Sequence, residues 1–139
     1  MTAWGNFIVD KGFDAAAAIT KFRAVKLVAT NGLESVTPVT AATDNVVGVA
    51  QFGVTAPEIL KGKGASVRLM GITEMETAEA ITRGRRVSIT ANGRVQMAST
   101  GVVGDTLIGL AMDGCDGAGD RIPVFLNLPG VDKITAAFS

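Results

Sequence analysis

The sequence predicts an all-β fold. It reads as a small barrel or sandwich built from two repeated hairpin units, with one short helix and an extended N-terminal arm. Three observations carry this. Two stretches nearly repeat each other: Ala18-Ile19-Thr20-Lys21 matches Ala80-Ile81-Thr82-Arg83, and Arg23 and Val25 match Arg85 and Val87, all 62 positions apart. From Asn31-Gly32 and Asn92-Gly93 onward the spacing is 61, which carries Asp44 onto Asp105, Gly48 onto Gly109, Ala50 onto Ala111 and Gly53 onto Gly114. One deletion therefore aligns residues 18–53 with residues 80–114, and such self-similarity signals a fold built of like units. The second observation is short runs in which apolar and polar residues alternate, the period of a strand with one buried face. The third is turn chemistry: 17 Gly and 4 Pro punctuate the 139 residues.

Taken in order, residues 1–17 form the arm. They hold the only Trp, Trp4, together with Phe7 and Phe13, and no helical or strand period organises them. An aromatic-bearing segment of this kind is expected to lie along a partner or to cap its own domain. Asp14 before Ala15–Ala18 suits the cap of a helical turn. The β domain spans 18–128. In its first copy, Val25 and Leu27 lead to the Asn31-Gly32 turn, and Val46-Val47-Gly48-Val49-Ala50 is a strand. Residues 54–64 are a Pro- and Gly-bounded loop with room for one helical turn at Pro57–Leu60. Residues 65–73 read as a strand. Residues 74–84, EMETAEAITRG, carry the short helix that the pattern predicts, ended by Gly84.

In the second copy, Val87, Ile89 and Ala91 alternate with Arg86, Ser88 and Thr90. Asn92-Gly93 tolerates positive φ at both positions and favours a tight hairpin. Val95 and Met97 return, and Leu107–Met112 is an apolar run of strand length, as for a strand buried on both faces or against a partner chain. Residues 115–120 turn. In 121–128, Ile122, Val124, Leu126 and Leu128 alternate against Arg121, Pro123, Phe125 and Asn127. Pro123 cannot donate to a ladder, which places that strand at an edge or pairs it on one side there. Residues 129–139 are a tail anchored by Ile134 and Phe138.

Composition narrows the function. Lys+Arg and Asp+Glu both number 13, so the formal charge is zero. The basic surplus of a nucleic-acid binder is missing. A neutral chain with 47% apolar residues lacks the self-repulsion that keeps monomers apart and suits an assembly. One cysteine, Cys115, excludes an intrachain disulfide and fits a reducing compartment. A secretory signal pattern is absent, and no apolar run approaches the ~20 residues that span a bilayer. The expectation is a soluble protein made inside a cell.

The search for reactive groups returns no catalytic residue, cofactor site or metal site. The chain has no histidine, the commonest general base and metal ligand. Cys115 without a histidine lacks an activating partner. Gly114–Asp120 lacks the ligand spacing of a calcium loop and reads as a turn. Lys61–Gly64 lacks the strand–loop–helix context of a phosphate cradle. Glu74, Glu76 and Glu79 read as solvated carboxylates. Arg83, Arg85 and Arg86 form a small basic cluster, which suits either an acidic partner surface or a solvated strand start.

The motifs Ala80–Gly84, Ala91-Asn92-Gly93-Arg94-Val95, Ile108-Gly109-Leu110-Ala111 and Gly119-Asp120 before a final apolar strand together resemble the tailed-phage capsid decoration, or cement, proteins. Val47–Ala50 and the strand over 64–72 resemble that family's first half. The resemblance covers residues 18–128, and the chain departs from it at Pro57–Lys63 and at Lys21-Phe22-Arg23, where a Gly matching Gly84 is expected. It implies a structural virion protein, not an enzyme. Such a protein sits as a homotrimer on the outside of a bacteriophage head, made in the host cytoplasm, and stabilises the lattice of the major capsid protein. Neither nucleic acid nor membrane is an expected partner. The shell contacts expected on this reading are Trp4, Phe7, Phe13, Arg83, Arg85 and Arg86. The alternative is a head-fibre or tail-associated binding module, or a non-enzymatic β domain of another role. Sugar reading is disfavoured by the scarcity of aromatic platforms. An enzyme would have to rest on Glu76, Asp105 or Cys115.

Overall fold

A computed structural model describes residues 8–28, 34–126 and 132–135. Trp4, Phe7, the Asn31-Gly32 turn, Leu128 and Phe138 lie outside the described residues. Nine strands and one five-residue helix make up the described chain: β1 (Val9–Ala15), β2 (Ala24–Val28), β3 (Ser35–Pro38), β4 (Gly48–Ala50), α1 (Ala56–Leu60), β5 (Ala65–Glu76), β6 (Arg86–Ile89), β7 (Val95–Met97), β8 (Leu107–Ala111) and β9 (Arg121–Leu126). The fold is all-β, as the alternation predicts.

β5 organises the molecule. Its first stretch pairs with β1 and β4, and its second with β9. The order β1-β3-β2-β4-β5, with β1 also pairing β5, closes a five-stranded barrel. The order β5-β9-β8-β6-β7 builds a second unit. There, the bridge between Thr77 and Val95 brings the end of β5 back to β7. Closing the sheet on itself removes exposed strand edges. Gly71, with φ 102, sits where β5 passes from one unit to the other, a conformation an L side chain adopts only under strain.

The two units share their hydrogen-bond plan. Phe13 faces Ala65 as Met75 faces Ile122; Lys11 faces Val67 as Thr73 faces Val124. Ala24 pairs with Val49 as Arg86 pairs with Leu110, and Leu27 with Val36 as Ile89 with Val95. Ile19 exchanges amide bonds with Val54 as Ile81 does with Cys115. The carboxylates of Asp44 and Asp105 close the same turn, accepting from the amides of Ala41 and Val102 at 3.0 Å each. Gly48 and Gly109 are required for the same reason, since a Cβ there would lie 2.3 Å from the Arg68 carbonyl oxygen and 1.9 Å from that of Phe125.

Four local expectations are corrected. The helix expected over 74–84 is not formed: β5 runs on to Glu76, with Thr73, Met75 and Thr77 buried in alternation. Pairing with β9 and burial of Met75 outweigh a helix propensity that is only a weak prior. The helix instead falls at Ala56–Leu60, where Thr55 and Glu58 form a reciprocal capping box and Pro57 occupies the first turn. Residues 9–15 of the arm are a strand, parallel to β3 and antiparallel to β5, so Asp14 caps no helix. At Asn92-Gly93 only Gly93 has positive φ (77). The loop is thus a turn followed by a left-handed residue, closed by the Gly93 amide donating to the Thr90 carbonyl at 3.0 Å. In addition, the single deletion between copies resolves into two length changes: Val36 and Val95 match by register although 59 positions apart, while Leu27 and Ile89 are 62 apart.

Phe22 stands where Gly84 stands in the second unit and adopts the same left-handed backbone, φ 61 against 84. Its amide donates to Ala50 as that of Gly84 donates to Ala111. The ring is buried, with the Lys21 ammonium 4.7 Å and the Arg121 guanidinium 5.0 Å from its centre. Packing and two cation–π contacts offset the ~1–2 kcal/mol that a left-handed L residue costs.

Two apolar clusters form the core. One fills the first barrel with Phe13, Val25, Val36, Ala50 and Val67. The other fills the second unit with Met75, Val87, Ile89, Val95, Ile108 and Val124 and takes in Ala24, Val39, Val46 and Val49 from the first. The units are thereby fused. Ile134 is fully buried with Ala98 and Leu107, and the Lys133 ammonium bonds the Thr43 carbonyl (2.7 Å) and the Thr106 hydroxyl, tying this segment across both units.

Candidate docking surface

Strand pairing sets a row of side chains on the outer face of the second unit. Directly opposed residues of antiparallel strands share a face. Ile72 opposes Phe125, Phe125 opposes Leu110, and Leu110 opposes Arg86. Met70 and Met112 extend the row by one alternation each. Phe125 is 46% exposed and Leu110 40%, and a groove lies beside them. The groove measures about 390 Å³ and is lined by Leu107, Gly109, Leu110 and Phe125, with Arg86 and Asp132 at its margins. Contiguous apolar exposure of this kind marks an interaction site more often than scattered single residues do.

The residues expected to touch a shell are distributed as follows. Trp4 and Phe7 are outside the described residues. Phe13 is 7% exposed, inside the first core. Arg83, Arg85 and Arg86 are exposed at the start of β6. Of these, only Arg86 borders the groove, so the structure does not join Phe13 to the arginines. The expected contacts omit Ile72 and Phe125, while Leu110 lies in the Leu107–Met112 run whose apolar character suits burial or a partner chain. One signal was present: Phe125 falls on the same alternation as Arg121 and Pro123, an aromatic on the outward side of its strand.

Charged groups on the body serve structure. Burial raises the Asp44 carboxyl, but the amides of Thr40 and Ala41 and the Lys26 ammonium outweigh it and hold it below the ordinary Asp value. The Lys63 ammonium and the Thr55 amide and hydroxyl lower Glu58 to about 2. Glu76 lies 3.0 Å from Arg23 and 2.9 Å from Arg94, linking the units. Cys115 is half-buried, and its thiol makes long contacts, 3.4 Å, to the Glu79 and Gly117 carbonyls. Among the described residues no three Cys, Asp or Glu side chains gather as a metal site, and no helix is long and apolar enough to cross a membrane.

The fold and this face define a class: a closed five-stranded β-barrel fused to a second, like-built strand unit, with apolar surface presented outward. Residues 33–126 match the phage cement protein family, and the chain belongs to it. It is therefore a structural protein of the phage virion, associated with the capsid. The fold is also that of the N base of the head fiber protein gp8.5 of bacteriophage phi29. That likeness has a TM-score of 0.63 at 14% identity, over 91% of this chain and 99% of that one. Comparison with curated proteins finds no match.

Proposed function

We propose that the protein binds the outside of a bacteriophage head as a homotrimer and holds neighbouring major capsid subunits together, without catalysis and with neither nucleic acid nor membrane as partner. The cement-family match over residues 33–126 carries this reading. A ligand that binds only the assembled shell stabilises it by mass action, and several modest contacts per trimer multiply in strength. In this reading Trp4, Phe7, Arg83, Arg85 and Arg86 meet the shell, and Phe13, buried in the first core, anchors the strand that leads to the N-terminal segment. The protein is made in the host cytoplasm and added to the head exterior.

The test is addition of purified protein to heads lacking it. Cosedimentation, a higher melting temperature of the head, and electron-microscopic density on the outer surface are expected. Failure to cosediment with expanded heads refutes the proposal. A second reading, the base of a head fibre, is favoured by the whole-chain fold likeness to the gp8.5 N base. It predicts a projecting fibre above the density, where the first predicts a low cap.

A further inference from the structure

The seam between the two units gathers positive charge. Glu76, at the end of β5, accepts from the Arg23 Nη2 at 3.0 Å, and the Arg94 Nε lies 2.9 Å from the same carboxylate oxygen. Arg23 precedes β2 and Arg94 precedes β7, so one carboxylate holds an arginine of each unit. Arg121 opposes Glu76 across the β5–β9 ladder, which sets both on one face. The Glu76 amide donates to the Phe22 carbonyl at 3.0 Å. The Phe22 ring in turn carries the Lys21 and Arg121 cations, 4.7 and 5.0 Å from its centre. Two cations on the carboxylate and two on the ring thus meet around one paired acid.

This network is short of acceptors. The Nε atoms of Arg23 and Arg94 are buried with no hydrogen-bond partner, and native structures rarely leave a buried donor unmade. Among the described residues no carboxylate pairs with Lys21 or Arg121, and both side chains are exposed. Glu74 and Asp120, which flank Glu76 and Arg121 along the chain, are exposed too and pair with none of the four cations. Residues 1–7, 29–33, 127–131 and 136–139 contain no Asp or Glu. No acidic side chain outside the described residues can therefore supply the missing charge. Lys21 and Arg23 are also the repeat counterparts of Arg83 and Arg85, 62 positions on, the turn read above as a shell contact. The seam adds Arg94 and Arg121 to the first unit's version of that turn.

We propose that the seam is an oxyanion-binding site and takes carboxylate side chains from an acidic protein segment of the capsid shell. Three of its four cations are arginines, whose planar guanidinium presents paired N–H donors at the spacing of a carboxylate. The formal charge of zero disfavours the extended basic surface that nucleic acid requires, whereas a local patch suits a few carboxylates. The proposal rests on the shell-binding reading above and assigns the chemistry of one contact.

The experiment has two arms, each run on the full chain. In the first, calorimetric titration measures binding of a polyglutamate peptide, with polyphosphate as the comparison. The test variant is Lys21→Gln with Arg121→Gln, and the control is Lys61→Gln, exposed in the loop after α1. Unchanged circular dichroism confirms folding. Wild type and control are expected to bind the peptide alike. The double variant is expected to bind about tenfold more weakly at low salt, and the gap should close as salt rises. The single variants, each about threefold weaker, replace the double where it loses its fold. Glu76→Gln removes the competing carboxylate and is expected to bind more tightly than wild type. Equal binding by the folded double variant, or tighter binding of polyphosphate than of polyglutamate, overturns the proposal. In the second arm the same proteins are cosedimented with heads. A wild type and a double variant that bind heads equally overturn this site alone. A wild type that binds polyglutamate through the seam but ignores heads overturns the shell reading and the shell as the source of the carboxylates.

Discussion

Replacing Gly109 with alanine tests the shared strand geometry most directly. A Cβ there would lie 1.9 Å from the Phe125 carbonyl oxygen and 2.9 Å from its carbon. Both are backbone atoms, so no side chain can swing aside. β8 must move more than an ångström away from β9, between the Gly109–Leu126 and Leu110–Phe125 pairs. Overpacking costs about 1–3 kcal/mol, and two weakened ladder bonds add about 0.5–1.5 kcal/mol each. The expected loss is about 2–6 kcal/mol by these terms, a large part of the ~5–15 kcal/mol that holds a domain together. Urea unfolding at fixed protein concentration reads it. With a slope of ~1–3 kcal/mol per M, the midpoint falls by about 2 M. Gly48→Ala should behave alike, since its Cβ would lie 2.3 Å from the Arg68 oxygen. Gly117→Ala is the control, with nothing within 4 Å and an expected change within about 0.5 kcal/mol. A Gly109→Ala protein as stable as the control would refute the reasoning.

Three further outcomes are expected. Phe22→Gly relieves the left-handed backbone by ~1–2 kcal/mol but forfeits ~3–5 kcal/mol of buried ring. A net loss of about 2 kcal/mol follows, and calorimetry showing stabilisation would contradict it. Ile134→Ala removes a fully buried side chain and should cost about 2–5 kcal/mol, with faster amide exchange at Thr106 and Leu107 as the readout. Asp44 has a folded-state pKa below its ordinary 3.8, so its contribution is full above that value and is lost as pH falls through the lowered one. Asp44→Asn should therefore flatten the acid limb of the stability curve below pH ~4 and leave its shape near neutrality unchanged.

Much of the architecture was legible because strand alternation and turn residues are local signals. The strands at Arg86–Ile89, Leu107–Ala111 and Arg121–Leu126 stand where alternation or apolar runs put them. Gly48, Gly53, Gly109 and Gly114 of the repeat proved to be places where backbone meets backbone. The helix at 74–84 misled for the opposite reason. Glu76, Ala78 and Glu79 suit a helix locally, but residues 71–76 are held by six pairings to β9 that no local window contains. Phe13 read as a free aromatic because nothing nearby shows that β1 lies between β3 and β5.

By itself, then, the sequence determined an all-β chain of like-built units with no histidine chemistry and a cement-family signature. Only the tertiary structure decided that one strand, β5, serves both units. It also decided that Ala24 and Val49 are covered while Leu110 and Phe125 are not. The reason is physical: period and turn chemistry act over a few residues, whereas burial of a face depends on what packs against it from 40 or more positions away, as Gly93 does on Ala24.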